Sequence, residues 1–125
     1  MAFNHDVVAS WKFAPVVQTI EPSDCFLYAL SVGVGRDPLN RDELPFVYGP
    51  KIKVLPTMAA VVCTPGFWAE DPRLGIDITR IFHGEQSVTL HKPIPPGEEL
   101  TGHSRISDLI DKGPGGGAII EVECV

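Results

Sequence analysis

The stretch from Asp77 to Leu100, DITRIFHGEQSVTLHKPIPPGEEL, constrains the chain most. Its middle is rich in β-forming residues, yet it carries the polar cluster His83-Gly84-Glu85-Gln86. It then meets Pro93-Ile94-Pro95-Pro96-Gly97, a corner that no strand interior accepts, because proline cannot donate to a ladder. With period-two alternation, Phe82, Gly84, Gln86, Val88 and Leu90 fall on one face of a strand over Ile78–Lys92. His83, Glu85, Ser87, Thr89 and His91 fall on the other. A strand that keeps an imidazole, a carboxylate and a carboxamide together is a site or an interface.

The rest of the chain is organised by similar corners. Twelve prolines and twelve glycines in 125 residues lie between periodic segments rather than in a low-complexity tail. That distribution indicates one domain over residues 1–125, of short elements joined by sharp turns, with no linker and no internal repeat. Val16–Ile20 reads as a short strand. Glu21-Pro22-Ser23-Asp24 opens a helix, with Ser23 or Asp24 as the cap, and Phe26, Ala29, Leu30 and Gly33 follow at helical spacing. Ala29 and Gly33 leave a shallow groove for tight packing. Thr57–Cys63 is apolar almost all round and suggests a buried helix ended by Pro65-Gly66.

Glu99–Ile110 and Gly117–Val125 read as strands of a hairpin joined by DKGPGGG. On the last strand Ala118, Ile120, Val122 and Cys124 make an apolar face, with Glu121 and Glu123 opposite. That strand ends at Val125 without a return, so its sheet is expected to lack a last strand, through truncation or because another chain supplies the edge.

Charge and cysteine usage exclude several classes. A net charge of −6, with no run of Lys and Arg longer than two, argues against nucleic acid and anionic membrane partners. No segment has the length of a spanning helix or the h-region of a signal peptide. Cys25, Cys63 and Cys124 are odd in number and contain no C-x-x-C pair. They read as reduced core thiols of a cytoplasmic protein rather than a disulfide frame or zinc site.

Four constellations invite chemistry. His83 and His91 lie more than about 25 Å apart along an extended strand, so they do not share a metal. His83 with Glu85 is the usual kit for proton transfer near neutral pH, and the alternative is a polar pair at a sheet edge or subunit contact. The GPGGG loop lacks the Gly-Lys-Ser/Thr ending of a phosphate loop and precedes a strand, so it reads as a flexible hairpin; Lys112 beside it is placed to meet a ligand phosphate. Cys63 sits in an apolar run with no adjacent base, as an inert thiol does.

Five segments in fixed order carry a resemblance: YALSVGVG (Tyr28–Gly35), DELPFVYG (Asp42–Gly49), VLPTMAAVV (Val54–Val62), IFHGEQSVTLHKPIPP (Ile81–Pro96) and DKGPGGGAIIEVE (Asp111–Glu123). Together they resemble the N-terminal half of the type 2 enoyl-CoA hydratases, the MaoC-like dehydratases. The resemblance implies an α+β hot-dog fold, an antiparallel sheet wrapped around a central helix. It also implies reversible addition of water to a trans-2-enoyl-CoA, giving the (R)-3-hydroxyacyl-CoA, with acyl-CoA as substrate and no metal or redox cofactor.

In that family two hot-dog units pack together, as halves of one chain or as subunits of an oligomer. The water-activating Asp and His belong to the other half, in a Y-x-x-S-G-D-x-N-P-[LI]-H motif. That motif does not occur in these residues, and Asp37-Pro38-Leu39-Asn40 is only an echo of it. The resemblance therefore assigns no catalytic residue here. It makes His83, Gly84, Glu85, Gln86, Lys112 and Gly113 candidates for substrate binding, facing a catalytic half that is fused or separate. A binding module for acyl-CoA or acyl-carrier protein, and a hot-dog thioesterase using Glu85 or Asp77, are the alternatives. The acyl group, whether fatty, steroid or polyketide, stays open, as does the effect of Gly49 where relatives often carry an acid.

Overall fold

The computed structural model describes residues 3–125. Among them are three α-helices, α1 (His5–Ala9), α2 (Pro22–Ser31) and α3 (Leu44–Val47), and four strands, β1 (Val16–Thr19), β2 (Glu99–Gly102), β3 (Ser104–Asp111) and β4 (Ala118–Cys124). Strand β1 pairs with β2, and β3 with β4. The architecture is α+β with small antiparallel pairings, compatible with the hot-dog fold. Packing resolves into two compact units. One comprises the chain up to Val16, Cys63–Glu85 and Thr101–Val125, and the other Val17–Val62 and Gln86–Leu100.

In the first unit the β3–β4 hairpin follows its sequence closely. Ser104 faces Cys124, Arg105 faces Glu123 and Ile106 faces Val122. A one-residue irregularity at Ser107 then shifts the register, so that Asp108 faces Glu121 and Leu109 faces Ile120. Such a bulge inserts one unpaired residue and bends its strand. His103 and Val125 exchange both backbone bonds, at 2.8 and 3.0 Å, and extend the ladder by one pair. The expected single strand Glu99–Ile110 is thus two strands broken at His103.

Residues 4–13 pack firmly. Helix α1 lies against β3 and against a 3-10 turn at Pro72–Leu74, and Val8 and Leu74 are fully buried. The Asn4 N–H donates to the Leu74 carbonyl at 2.8 Å. Phe13 meets Trp68 edge-on at 5.2 Å, and the Arg73 guanidinium lies 4.8 Å above the Trp11 ring, where the ring's negative face attracts a cation.

The second unit is built around Ile20, Cys25, Met58 and Ile94, with Tyr28, Ile52, Val54, Val62 and Leu100 packed against them. Helix α2 starts within the expected acidic segment, but the cap is neither Ser23 nor Asp24: Glu21 is the N-cap, and the Asp24 carboxylate accepts from the Glu21 N–H at 3.0 Å. Asp24 thereby satisfies a backbone donor that the helix leaves without a partner. The buried stripe is Cys25 and Ala29. Gly33 lies beyond the helix end, so it contributes no helical groove with Ala29. The apolar run expected as a helix over Thr57–Cys63 is a short 3-10 helix, Pro56–Ala60. The chain leaves the helical region by Cys63, whose φ is +52°. The Pro-rich corner forms as expected, with the Gly97 N–H on the Ile20 carbonyl at 2.6 Å and Ile94 buried.

The strand expected over Ile78–Lys92 is not formed. Asp77 caps a 3-10 turn at Ile78–Arg80, and residues 81–90 carry no helix or ladder. Among the described residues no backbone N–H from Phe82 to Lys92 donates a hydrogen bond. Period-two patterning supplies side-chain alternation, but a strand also needs a neighbour to accept its bonds.

Candidate substrate-binding site

His83, Gly84, Glu85 and Gln86 are all exposed. His83 Nε2 lies 3.0 Å from the Glu85 backbone oxygen. The imidazole is therefore the N–H donor in that contact, and its partner is the carbonyl rather than the carboxylate. A ring held this way lacks the His–carboxylate hydrogen bond that orients a general base. Gln86, which belongs to the second unit, donates from Nε2 to the Ser87 carbonyl at 3.3 Å. The apolar residues around this cluster are open, with Phe82 88% and Ile81 50% exposed.

Lys112 and Gly113 lie on the β3–β4 hairpin. The loop is tied down rather than loose: the Lys112 N–H donates to Gly117 O and the Gly116 N–H to Gly113 O, both at 3.0 Å. The Asp111 carboxylate accepts from the Gly113 N–H at 2.8 Å. A Cβ at Gly116 would sit 2.7 Å from the Lys112 carbonyl oxygen, so only glycine lets the loop close. Lys112 remains exposed at its edge. Among the described residues no hydrogen bond or ion pair joins Lys112 or Gly113 to the His83–Glu85 cluster, nor does any group of three His, Cys, Asp or Glu take a metal-holding arrangement.

Two cavities in the first unit had no signal in the sequence pattern. One, about 300 Å³, is lined by Phe67, Ala69, Glu70, Ile78 and Ile81. It ends two residues before His83, and its walls are apolar apart from the Glu70 carboxylate. The other, about 280 Å³, is lined by Val7, Ser10, Trp11, Lys12 and Arg73. Arg73 there is already held by Asp71 at 2.8 Å, and that bond lowers the Asp71 pKa to about 2. Asp77 accepts from the Thr79 hydroxyl at 2.6 Å and the Thr79 N–H at 3.1 Å, which push its pKa down as well. A carboxylate stabilised in its ionised form is a weak base.

Residues 19–125 match the family of MFE-2 hydratase 2 N-terminal domains. The chain belongs to that family. The chain is 33% identical to an enoyl-CoA hydratase 2, peroxisomal, of Arabidopsis thaliana, over 97% of this chain and 41% of the relative. It is 36% identical to a peroxisomal multifunctional enzyme type 2 of Mus musculus, over 77% of this chain and 14% of that protein. A 3-hydroxyacyl-thioester dehydratase Y of Mycobacterium tuberculosis is 35% identical, over 78% and 33%. The domain thus spans less than half the length of each of these relatives. Among the described residues no helix is long and apolar enough to cross a membrane.

Proposed function

We propose that this domain is the non-catalytic, acyl-pocket-forming half of an (R)-specific enoyl-CoA hydratase, or 3-hydroxyacyl-CoA dehydratase. It would add water to trans-2-enoyl-CoA together with a MaoC-like catalytic half, fused or separate. One observation carries the reading. A family member with hydratase and dehydratase relatives presents its HGEQ segment exposed and without ladder partners, while the Asp/His motif that activates water is absent from these residues. An unpaired strand-forming segment with open apolar side chains is the kind of surface another fold unit covers.

In this division of labour the partner half supplies acid–base catalysis and this half supplies shape. His83, Gly84, Glu85 and Gln86 would line the shared pocket, and Lys112 with Gly113 would meet the polar part of the thioester ligand. The His83 contact with a carbonyl and the depressed pKa of Asp77 both count against a base on this chain, and so against the thioesterase alternative. Mixing the chain with a catalytic half and assaying hydration of a trans-2-enoyl-CoA tests the proposal. Activity above that of the catalytic half alone is expected. Tight acyl-CoA binding with no gain in any mixture would favour the binding module instead.

A further inference from the structure

Cys63 and Cys124, distant in sequence, meet beside Gly102. A methyl group on Gly102 would lie 2.6 Å from Cys63 Cβ and 3.2 Å from Cys124 Sγ, which bounds the separation of those two atoms at about 6 Å. The Cys124 thiol already points at Cys63, donating to its carbonyl oxygen at 3.5 Å. Cys63 is buried while Cys124 is exposed near the end of β4, so the expectation of three core thiols fails for Cys124. A second feature singles out this place. Directly opposite Cys124 in the ladder stands Ser104, whose hydroxyl oxygen is buried and has no hydrogen-bond partner. Because His103 and Val125 exchange both backbone bonds, Ser104 and Cys124 form a non-hydrogen-bonded pair, the arrangement that brings facing side chains closest. An exposed thiol is the one that a dissolved reagent reaches first.

We propose that Cys63 and Cys124 are an oxidisable dithiol that closes to a disulfide by exchange with a low-molecular-weight disulfide. The Cys124 thiolate attacks one sulfur of that reagent, forming a mixed disulfide and releasing one thiol. Cys63, as its thiolate, attacks Cys124 Sγ, breaks the mixed bond and releases the second thiol. The protein loses two electrons and two protons, and the reagent is reduced to two thiols. Exposure assigns the first attack to Cys124, and burial assigns Cys63 to resolution. The bridge would close a loop of chain holding every candidate substrate-binding residue, His83 through Gln86 and Lys112 with Gly113. The assignment rests on geometry within the first unit and stands apart from the hydratase reading.

The test is incubation of the full chain with glutathione disulfide, followed by thiol counting in denaturant and peptide mapping. Reactive thiols should fall from the three of the reduced chain to one, with a mass loss of two hydrogens and a single linked peptide pair containing Cys63 and Cys124. Cys25→Ser should still oxidise, and Cys124→Ser should form no internal bridge. A stable glutathione adduct on Cys124 without linkage, a bridge that includes Cys25, or linkage only between chains would each overturn the assignment. The wild-type peptide map decides the question whether or not a variant folds.

Discussion

Gly102 shows how one missing methyl group can organise a fold unit. Its ideal Cβ would come within 2.6 Å of both the Cβ and the carbonyl oxygen of Cys63, closer than atoms pack. Gly102→Ala should therefore cost about 1–3 kcal/mol in denaturant unfolding, the usual range for an overpacked interior. At Asp71 the relevant variable is pH. Its folded pKa of about 2 lies below the ordinary 3.8 because Arg73 donates to it. The ionised form is thus favoured by folding, and its stabilisation is present above pH 3.8 and lost as pH falls toward 2. Acid titrations should show wild type losing more stability across that window than Asp71→Asn. His83→Ala bears on the proposed pocket. With a catalytic half present it should raise KM or weaken assembly while leaving kcat within a few-fold. Intact assembly and KM with a collapsed kcat would restore His83 as the base.

At the scale of elements, what the sequence disclosed depended on where each hydrogen bond ends. The start of α2 is legible because Asp24 answers a donor three residues away, and the β3–β4 hairpin because the glycine-rich turn and both strands are adjacent in sequence. The 81–92 segment has equally good alternation, yet local pattern cannot say whether a neighbour accepts its amides. The run at Thr57–Cys63 is apolar enough for a helix, but only Met58 and Cys63 in it are buried, and the positive φ at Cys63 closes off a short 3-10 helix. The cavity wall formed by Phe67, Ala69, Ile78 and Ile81 was unreadable because its two sides come from loops without periodicity. The bulge at Ser107 was equally hidden, and it has an energetic consequence. It sets Asp108 opposite Glu121, and like charges across a ladder destabilise it. Glu121→Lys should raise Tm by about 1–4 °C, read by thermal unfolding at low salt.

At the scale of the molecule, order is unevenly distributed. Each unit has its own small buried cluster, Val8 with Leu74 in one and Ile20, Cys25, Met58 and Ile94 in the other. The candidate residues of the HGEQ segment lie in neither cluster. This is the pattern expected where binding residues sit on the least protected chain and depend on a partner for order. The fold class and family were thus legible in the residues, through ordered motifs. The geometry of the site was not, because side-chain alternation in the HGEQ segment does not say which groups its backbone meets.

The partnerless amides from Phe82 to Lys92 have a kinetic consequence. In the isolated chain they should exchange with solvent deuterium at close to the rate of an unstructured peptide, while Lys112 and Gly116, closed into the hairpin, exchange slowly. A chymotrypsin cut after Phe82, whose side chain is 88% exposed, should also be among the first to appear. Adding the correct catalytic half should slow exchange and cleavage there together, and an unrelated protein should slow neither. The segment would then report its own engagement without an attached reporter group or substrate, and the rate at which it falls silent would measure assembly directly.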